Sequence, residues 1–343
     1  MASDHQPMNF LATAKESTQE KKPPLLKVQL EGHVLLKIAK HSRETAAVHP
    51  VVTGSLLGLD VGQTLEITEC FPIPVDSVAA DVDDDAESYE LEMLRCLREI
   101  NVDNNMVGWY QSSVSGSYQV LEIIDQFINS LESLERCVCL VYDVTSSLTG
   151  SFGVKAIRLA DSFVEAYREG TLTIEKIKAK NIAWKDIFVE IPITVHNSPL
   201  AVALMHEMES NPVSVSQIDL DRLNMDAAPL LEKNLEFLNE CIDDLNAEQH
   251  KLTQYHLDMR KLHQRVMQWK LARRNENQQR RIMGEEPLPE DPPENEFKKP
   301  TEPSQLDTLL LANQMHSYAS QIASVGAQSI EKLVLLEEIS SSK

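Results

Sequence analysis

The sequence lacks the long apolar run, about 18 residues or more, that a transmembrane helix needs. Its first residues are polar and lack the apolar core of a secretory signal, so we expect a cytoplasmic protein. Cysteine is scarce, with five in 343 residues and no C-x-x-C pair. This excludes a zinc ribbon or a disulfide framework and predicts buried thiols in a reducing compartment. The phosphate-binding motif G-x-x-x-x-G-K and the serine-hydrolase motif G-x-S-x-G are also absent.

Positive charge is in short supply too. The chain has 53 acidic and 32 basic residues, a net charge of -21 at pH 7. Such a balance repels phosphate backbones, so nucleic acid is not expected as the main direct partner. A local exception is a basic cluster, made of Lys270, Arg273, Arg274, Arg280 and Arg281. This cluster could contact RNA phosphates. Lysine and arginine are also common at helix C-termini that bind no ligand, so direct RNA contact is left undecided.

The first half of the chain reads as one domain. Residues 25–196 alternate strand-like and helix-like patterns, which predicts an α/β (α+β) domain with a mixed sheet flanked by helices. Residues 1–24 show no such pattern and are predicted to be a disordered tail. The acidic residues 81–87 lack the alternating ligands and central glycine of a calcium loop, so we predict a solvated insertion there.

The second half is predicted to be helical. A helical region, 197–283, is followed by a linker rich in proline and acid, 284–303, and by a C-terminal helix, 304–343. Between residues 229 and 281 there is no glycine and, after Pro229, no proline, and apolar residues recur in alternating steps of four and three. That spacing is typical of a heptad seam. The seam residues are Leu231, Leu235, Leu238, Ile242, Leu245, Leu252, Met259 and Val266.

Such a helix of about 50 residues would extend about 75 Å, further than one domain core reaches. We therefore predict that its apolar stripe is a subunit interface in a helical bundle. The C-terminal segment can fold back to cover part of the stripe. Helices of other chains would cover the rest.

Two motifs narrow the fold. The first is Val52-Thr53-Gly54-Ser55-Leu56-Leu57-Gly58, and the second is Val107-Gly108-Trp109-Tyr110-Gln111-Ser112-Ser113. Together they resemble the MPN domain, whose active members carry the zinc-binding JAMM motif. In that family a glutamate precedes the first strand, and H-x-H ends the second, followed by S-x-x-D. Two histidines at i and i+2 of a strand reach one zinc, an aspartate is the third ligand, and the glutamate acts as general base on the bound water.

In this chain every one of those positions is occupied by another residue type. Val51 stands at the glutamate position, Gln111 and Ser113 at the histidines, Leu121 at the serine and Ile124 at the aspartate. Asp125 is one residue out of place and cannot substitute for two imidazoles. We therefore expect no catalytic residue, no bound metal and no cofactor.

Further blocks resemble a particular branch of the MPN family, the non-catalytic MPN subunits of eukaryotic translation initiation factor 3. They are residues 89–103, Gly108-Trp109-Tyr110-Gln111-Ser112, Leu140-Val141-Tyr142-Asp143, Glu190-Ile191-Pro192-Ile193 and the linker from Gly284 to Glu290. The resemblance implies a non-enzymatic scaffold of a complex that acts on the small ribosomal subunit and mRNA. It also implies pairing with another MPN protein of that factor, its f subunit, and a helical bundle with further subunits.

Two alternatives remain at this point. One is the corresponding non-catalytic MPN subunit of the proteasome lid or the signalosome, which shares the architecture. The other is a JAMM-type deubiquitinase that uses a displaced metal site, which measured zinc content would reveal.

Overall fold

The computed structural model describes residues 24–45, 49, 51–74, 83–101, 103–134, 136–148, 151–210, 228–284, 286, 288–289, 291–293 and 297–341. The predicted N-terminal tail, apart from residue 24, lies outside the described residues. Among the described helices, none combines the length and the apolarity needed to cross a membrane.

A mixed sheet of eight strands forms the centre of the molecule, in the order β7-β6-β5-β4-β2-β3-β1-β8. Strand β1 runs parallel to β3 and β8, and β4 runs parallel to β5. The other neighbours are antiparallel. The strands are β1 Lys27–Glu31, β2 Thr53–Val61, β3 Thr64–Pro72, β4 Met106–Ser113, β5 Val138–Asp143, β6 Val154–Leu159, β7 Phe188–Ile191 and β8 Ile193–His196.

Nine α-helices and one short 3₁₀ helix, Trp184–Asp186, accompany the sheet in the part of the chain that the structure describes. The α-helices are α1 Gly32–Thr45, α2 Asp83–Glu99, α3 Leu121–Ser133, α4 Val144–Leu148, α5 Asp161–Arg168, α6 Ile174–Lys180, α7 Pro199–Ser210, α8 Ala228–Met283 and α9 Leu306–Ser341. The predicted mixed sheet flanked by helices, with long C-terminal helices, is confirmed. The predicted acidic loop is wrong in part, because α2 already begins at Asp83.

Each face of the sheet carries its own apolar cluster. On one face, α1 packs Val34 and Ile38 against strand residues such as Leu56. On the other face, α3 packs Ile124 and Phe127 against residues that include Trp109 on β4. Alternation of side chains along a strand produces this two-sided core, since successive residues point to opposite faces.

The thiols follow this burial only in part. Cys70, Cys137, Cys139 and Cys241 are buried, as predicted, but Cys96 on α2 is exposed. Burial raises the pKa of the Cys70 and Cys137 thiols to about 12. Thiolate, rather than thiol, is the reactive form, so these two cysteines are structural rather than nucleophilic.

The long helices form an antiparallel pair attached to the sheet domain. The first turn of α9 belongs to the domain core, where Leu306 and Leu310 are buried beside Phe163 of α5. Further along, Tyr318 of α9 stacks on Phe237 of α8, with ring centroids 5.6 Å apart. Helix α9 therefore contacts the sheet domain as well as α8.

Candidate functional site

The two motif strands are neighbours in the sheet. Strands β2 and β4 pair antiparallel, and their register places Thr53 beside Gln111 and Ser55 beside Trp109. Their glycines are needed for backbone packing. A Cβ on Gly54 would lie 2.4 Å from the Phe71 carbonyl oxygen, and one on Gly108 would lie 1.9 Å from the Val138 carbonyl oxygen. The motif therefore preserves the sheet, independently of any metal chemistry.

The five positions at which the sequence predicts a degenerate metal motif lie at this strand pair and the start of α3, in different environments. Val51 and Leu121 are 41% and 42% exposed, Gln111 is partly buried, and Ser113 and Ile124 are 1% and 0% exposed. Ile124 is a core residue, packed in the apolar cluster under α3. Among the described residues, no group of three histidine, cysteine, aspartate or glutamate side chains is arranged to hold a metal ion.

Polar groups around these positions serve the fold. The Ser112 hydroxyl accepts a hydrogen bond from the Val52 amide at 2.8 Å, which joins the two motif strands. The neighbouring Asp125 accepts one from the Tyr167 hydroxyl at 2.7 Å, and this bond raises the pKa of Tyr167 to about 12. Asp125 is therefore engaged with α5 rather than with the motif. The Ser113 hydroxyl is buried without a hydrogen-bond partner in the described part of the chain.

A polar cleft of about 290 Å³ lies on this side of the sheet, between the sheet domain and α9. Gln314 of α9 donates a hydrogen bond to the Ser117 hydroxyl at 3.1 Å, directly after the second motif. A Cβ on Gly116 would meet the Gln321 amide at 2.3 Å, so α9 lies close to that loop. The ion pair Lys155–Glu190, at 2.8 Å, is part of the lining. The C-terminal helix thus occupies the edge of the domain that follows the degenerate motif.

The predicted seam of α8 divides into two sets. Leu231, Leu238, Leu245, Leu252, Met259 and Val266 are partly buried. Leu235 and Ile242, the +4 positions of the predicted heptad, are 48% and 37% exposed. Instead, the residues three positions after Leu231 and Leu238 are buried. These are Asn234 and Cys241, which are 1% and 5% exposed. The first set therefore lies along the buried side, whereas Leu235 and Ile242 form an open apolar strip beside it.

Helix α7 carries many apolar residues that the described part of the chain leaves exposed. Leu200, Val202, Leu204, Met205 and Met208 are each more than half exposed. None of the twelve residues of this helix is buried. A group of exposed apolar side chains on one short helix is a feature of interaction sites.

The end of α9 has the same character. Leu333, Val334, Leu335 and Leu336 are consecutive, so at about 100° per residue they point to every side of the helix. Each is at least half exposed, as are Ile330 and Ile339. The sequence predicts interface residues only on α8 and misses this surface at the end of α9. The run of four consecutive apolar residues is the sequence feature that would have predicted it.

Fold and motif together define an MPN-domain protein with long C-terminal helices. Two family models agree with this class. One, described as JAB1/Mov34/MPN/PAD-1 ubiquitin protease, matches residues 23–132, and one described as the C-terminal region of eIF3h matches residues 147–343.

Relatives that match along most of their length give the particular family. The chain is 48% identical to the H subunit of eukaryotic translation initiation factor 3 from Arabidopsis thaliana, over 92% of this chain and 94% of the relative. It is 35% identical to the protein of that name from Salmo salar, covering 96% and 98% of the two chains. The Aspergillus clavatus protein is also 35% identical, with 89% and 93% covered. The chain belongs to the family of H subunits of eukaryotic translation initiation factor 3.

Proposed function

We propose that this chain is a non-enzymatic scaffold subunit of the initiation factor, supporting assembly of the complex and its action on the small ribosomal subunit and mRNA in the cytoplasm. The observation that carries the proposal is the large apolar surface on α7, α8 and α9 that the described residues leave exposed. Exposed patches of this kind mark surfaces that other proteins cover. The family assignment identifies the complex in which such partners would be found.

The absence of enzymatic activity is supported by the chemistry at the degenerate positions. Gln111 and Ser113 present an amide and a hydroxyl where the active family members present imidazoles, and Ile124 presents a hydrocarbon chain inside the core. Neutral oxygen and nitrogen donors of this kind do not form a tight zinc site. We accordingly propose a chain without metal or cofactor.

Two surfaces fit two kinds of partner. Helix α7 follows edge strand β8, and Asn197 at its start lies beside Gly32, where α1 begins. Leu36 of α1 is 68% exposed, so the two helices can offer one apolar face on the sheet domain. We propose that this face pairs with a second MPN protein of the factor, its f subunit. The end of α9 and the strip of Leu235 and Ile242 on α8 would pack against helices of the bundle.

The proposed domain boundaries separate the sheet domain from the helical segments. We propose an MPN domain at 25–196, a helical region at 197–283, a linker at 284–303 and a C-terminal helix at 304–343, with residues 1–24 as a tail. The first turn of α9 is packed into the domain core. The helix therefore acts as the physical link between the sheet domain and the bundle.

The test is purification of the complex through the tagged full-length chain. Leu333→Asp combined with Leu336→Asp places two charges in the surface at the end of α9, and each would cost several kcal/mol if buried against a partner. We expect most co-purifying subunits to be lost, with the sheet domain still folded. Ser340→Asp combined with Ser341→Asp adds the same charge to the last turn and is the control. Full retention of partners by the leucine variant would contradict the proposed bundle surface.

The non-enzymatic part is tested separately on the purified chain. Zinc content should be far below one atom per chain, and ubiquitin chains should remain intact on incubation. About one zinc per chain, together with ubiquitin cleavage that a chelator blocks, would contradict this part and indicate a displaced metal site.

A further inference from the structure

Helix α8 is divided in charge along its length. Residues 228–259 contain seven acidic and two basic residues, whereas residues 260–283 contain eight basic residues and one acidic residue, Glu276. In a chain of net charge -21, this second half is a concentrated positive region. Six of its eight cations are arginines, the side chain whose planar guanidinium best matches phosphate oxygens.

The cations are not spread evenly around the helix. Arg260, Arg274 and Arg281 are separated by multiples of seven residues, and Lys270 precedes Arg274 by four, so these four lie on one side. We call them the basic stripe. Glu276 follows Arg274 by two residues and therefore points away from the stripe. Its carboxylate pairs with Arg273 and Arg280, at 3.2 and 3.7 Å. The stripe extends over about 30 Å of helix at the usual rise per residue.

The basic half of α8 projects beyond the helix pair. Helix α9 begins at Leu306 and runs antiparallel to α8, and its Tyr318 stacks on Phe237 in the acidic half of α8, so α9 begins near the middle of α8. Beyond that point, two described linker residues contact α8. The Asn277 side chain forms two hydrogen bonds with the Leu288 backbone, both 2.9 Å, and Phe297 contacts Trp269.

The described linker residues Leu288 and Phe297 contact α8 at Asn277 and Trp269, which lie next to the stripe. Arg273 itself is placed over the Trp269 ring, 4.9 Å from its centroid. Arg260, Arg274 and Arg281 are exposed, and Lys270 is partly buried. Linker contacts thus support the basic half on one side, and three of the four stripe cations are exposed.

We propose that the basic stripe binds the sugar–phosphate backbone of RNA. Rows of exposed arginine and lysine on a rigid helix bind phosphates without regard to base sequence, and the released counterions make the affinity depend steeply on salt. The strongly acidic remainder of the chain repels the same polyanion, so it confines binding to this end of the molecule. This surface is separate from the apolar surfaces of the proposed function, and either assignment can fail without the other.

The experiment measures binding of a fluorescently labelled single-stranded RNA to the full chain by anisotropy, at a series of salt concentrations. Each phosphate contact contributes about -0.7 to the slope of log affinity against log salt for a single strand. Removing four cations should therefore flatten the slope by up to about 3 units and lower the affinity at least about tenfold at low salt. The variant is Arg260→Gln, Lys270→Gln, Arg274→Gln and Arg281→Gln combined.

The matched control removes the same charge from the sheet domain, through Lys27→Gln, Lys40→Gln, Arg95→Gln and Lys178→Gln, all at exposed positions. It should change RNA affinity less than about twofold, because distant charges are screened. Equal losses in both variants would overturn the proposal, since binding would then follow net charge alone. Tighter binding to a polyglutamate peptide than to RNA would also overturn it, by assigning the stripe to an acidic protein. Unchanged helicity of both variants by circular dichroism ensures that lost binding reflects lost contacts.

Discussion

The sheet domain buries its large apolar side chains, whereas the C-terminal helices leave many of theirs exposed. Ile124, Phe127 and Leu140 in the sheet domain are at most 1% exposed, whereas Leu333, Leu335 and Ile339 at the end of α9 are 58–60% exposed. The first region covers its own core. The second is also rich in hydrocarbon, but nothing in the described part of the chain covers it. The difference shows that the buried core and the exposed apolar surface of this protein are built from separate parts of the sequence.

The sharpest way to probe this contrast is to delete a large apolar side chain in each region. Phe127→Ala should reduce the free energy of unfolding of the isolated chain by about 3–5 kcal/mol, because Phe127 packs on Trp109 with centroids 4.5 Å apart. Leu333→Ala should change it by less than about 0.5 kcal/mol. Denaturant titration followed by tryptophan fluorescence measures both. Comparable losses would mean that the end of α9 is covered within the chain.

The two sets of α8 residues refine the contrast within one helix. Leu238→Ala removes a partly buried residue from the inner side of the seam and should destabilise the isolated chain by about 2 kcal/mol. Leu235→Ala removes one that is 48% exposed and should cost less than about 0.5 kcal/mol. In the assembled complex the second variant should lose stability as well, once partners cover that strip. Thermal unfolding of the chain alone and of the complex distinguishes these outcomes.

A smaller effect concerns pH and the sheet domain alone. His41 Nδ1 lies 2.8 Å from the Tyr110 hydroxyl, and burial lowers the pKa of His41 below its ordinary value. The unfolded chain therefore binds a proton at His41 more readily than the folded chain does. The contribution of neutral His41 to the free energy of unfolding is complete above about pH 6.5, and it is lost as the pH falls through the lower pKa of the folded state. The stability difference between the native chain and His41→Gln should shrink between about pH 7 and pH 5. A difference that stays constant over this range would show that His41 does not titrate in this way.

The smallest effect is expected on the second motif strand, at Gln111 and Ser113. Ser113→Ala removes a buried hydroxyl without a hydrogen-bond partner in the described residues, and it should be neutral or slightly stabilising. Gln111→Ala should leave translation of a reporter mRNA nearly unchanged. Initiation assays and thermal unfolding of both variants test this. A strong translation defect in either one would reveal a role for the motif that its side chains do not suggest.

Several elements could be predicted closely from the sequence. The helical pattern predicted between residues 229 and 281 is α8, Ala228–Met283, and the C-terminal helix predicted at 304–343 is α9, Leu306–Ser341. Strong alternation or periodicity within one element suffices for such assignments, because it reports which faces are buried. The two short helices α5 and α6 were not predicted. With eight and seven residues they carry too few periods to stand out, and packing against the sheet stabilises them.

The candidate surfaces show where prediction from sequence reaches its limit. Leu235 was placed in the seam because leucine is apolar, yet Asn234 occupies the buried position beside it, 1% exposed. A step of three or of four residues from Leu231 is compatible with a heptad. The periodicity of a single helix therefore does not predict which of Asn234 and Leu235 is buried. Only the packed partner, α9, makes the choice. The position of α9 along the edge of the sheet domain was likewise beyond any local pattern.

The sequence by itself determined the chemistry: which side chains stand on the two motif strands, how acidic the chain is, and how much hydrocarbon its long helices carry. These are properties of residue type and spacing, which no fold can change. The tertiary structure decided which side of each helix turns inward and which remains open. Which side turns inward depends on contacts between different segments of the chain, such as Phe237 with Tyr318 and Asn277 with Leu288. The energy of such a contact depends on both segments, so neither segment alone determines it.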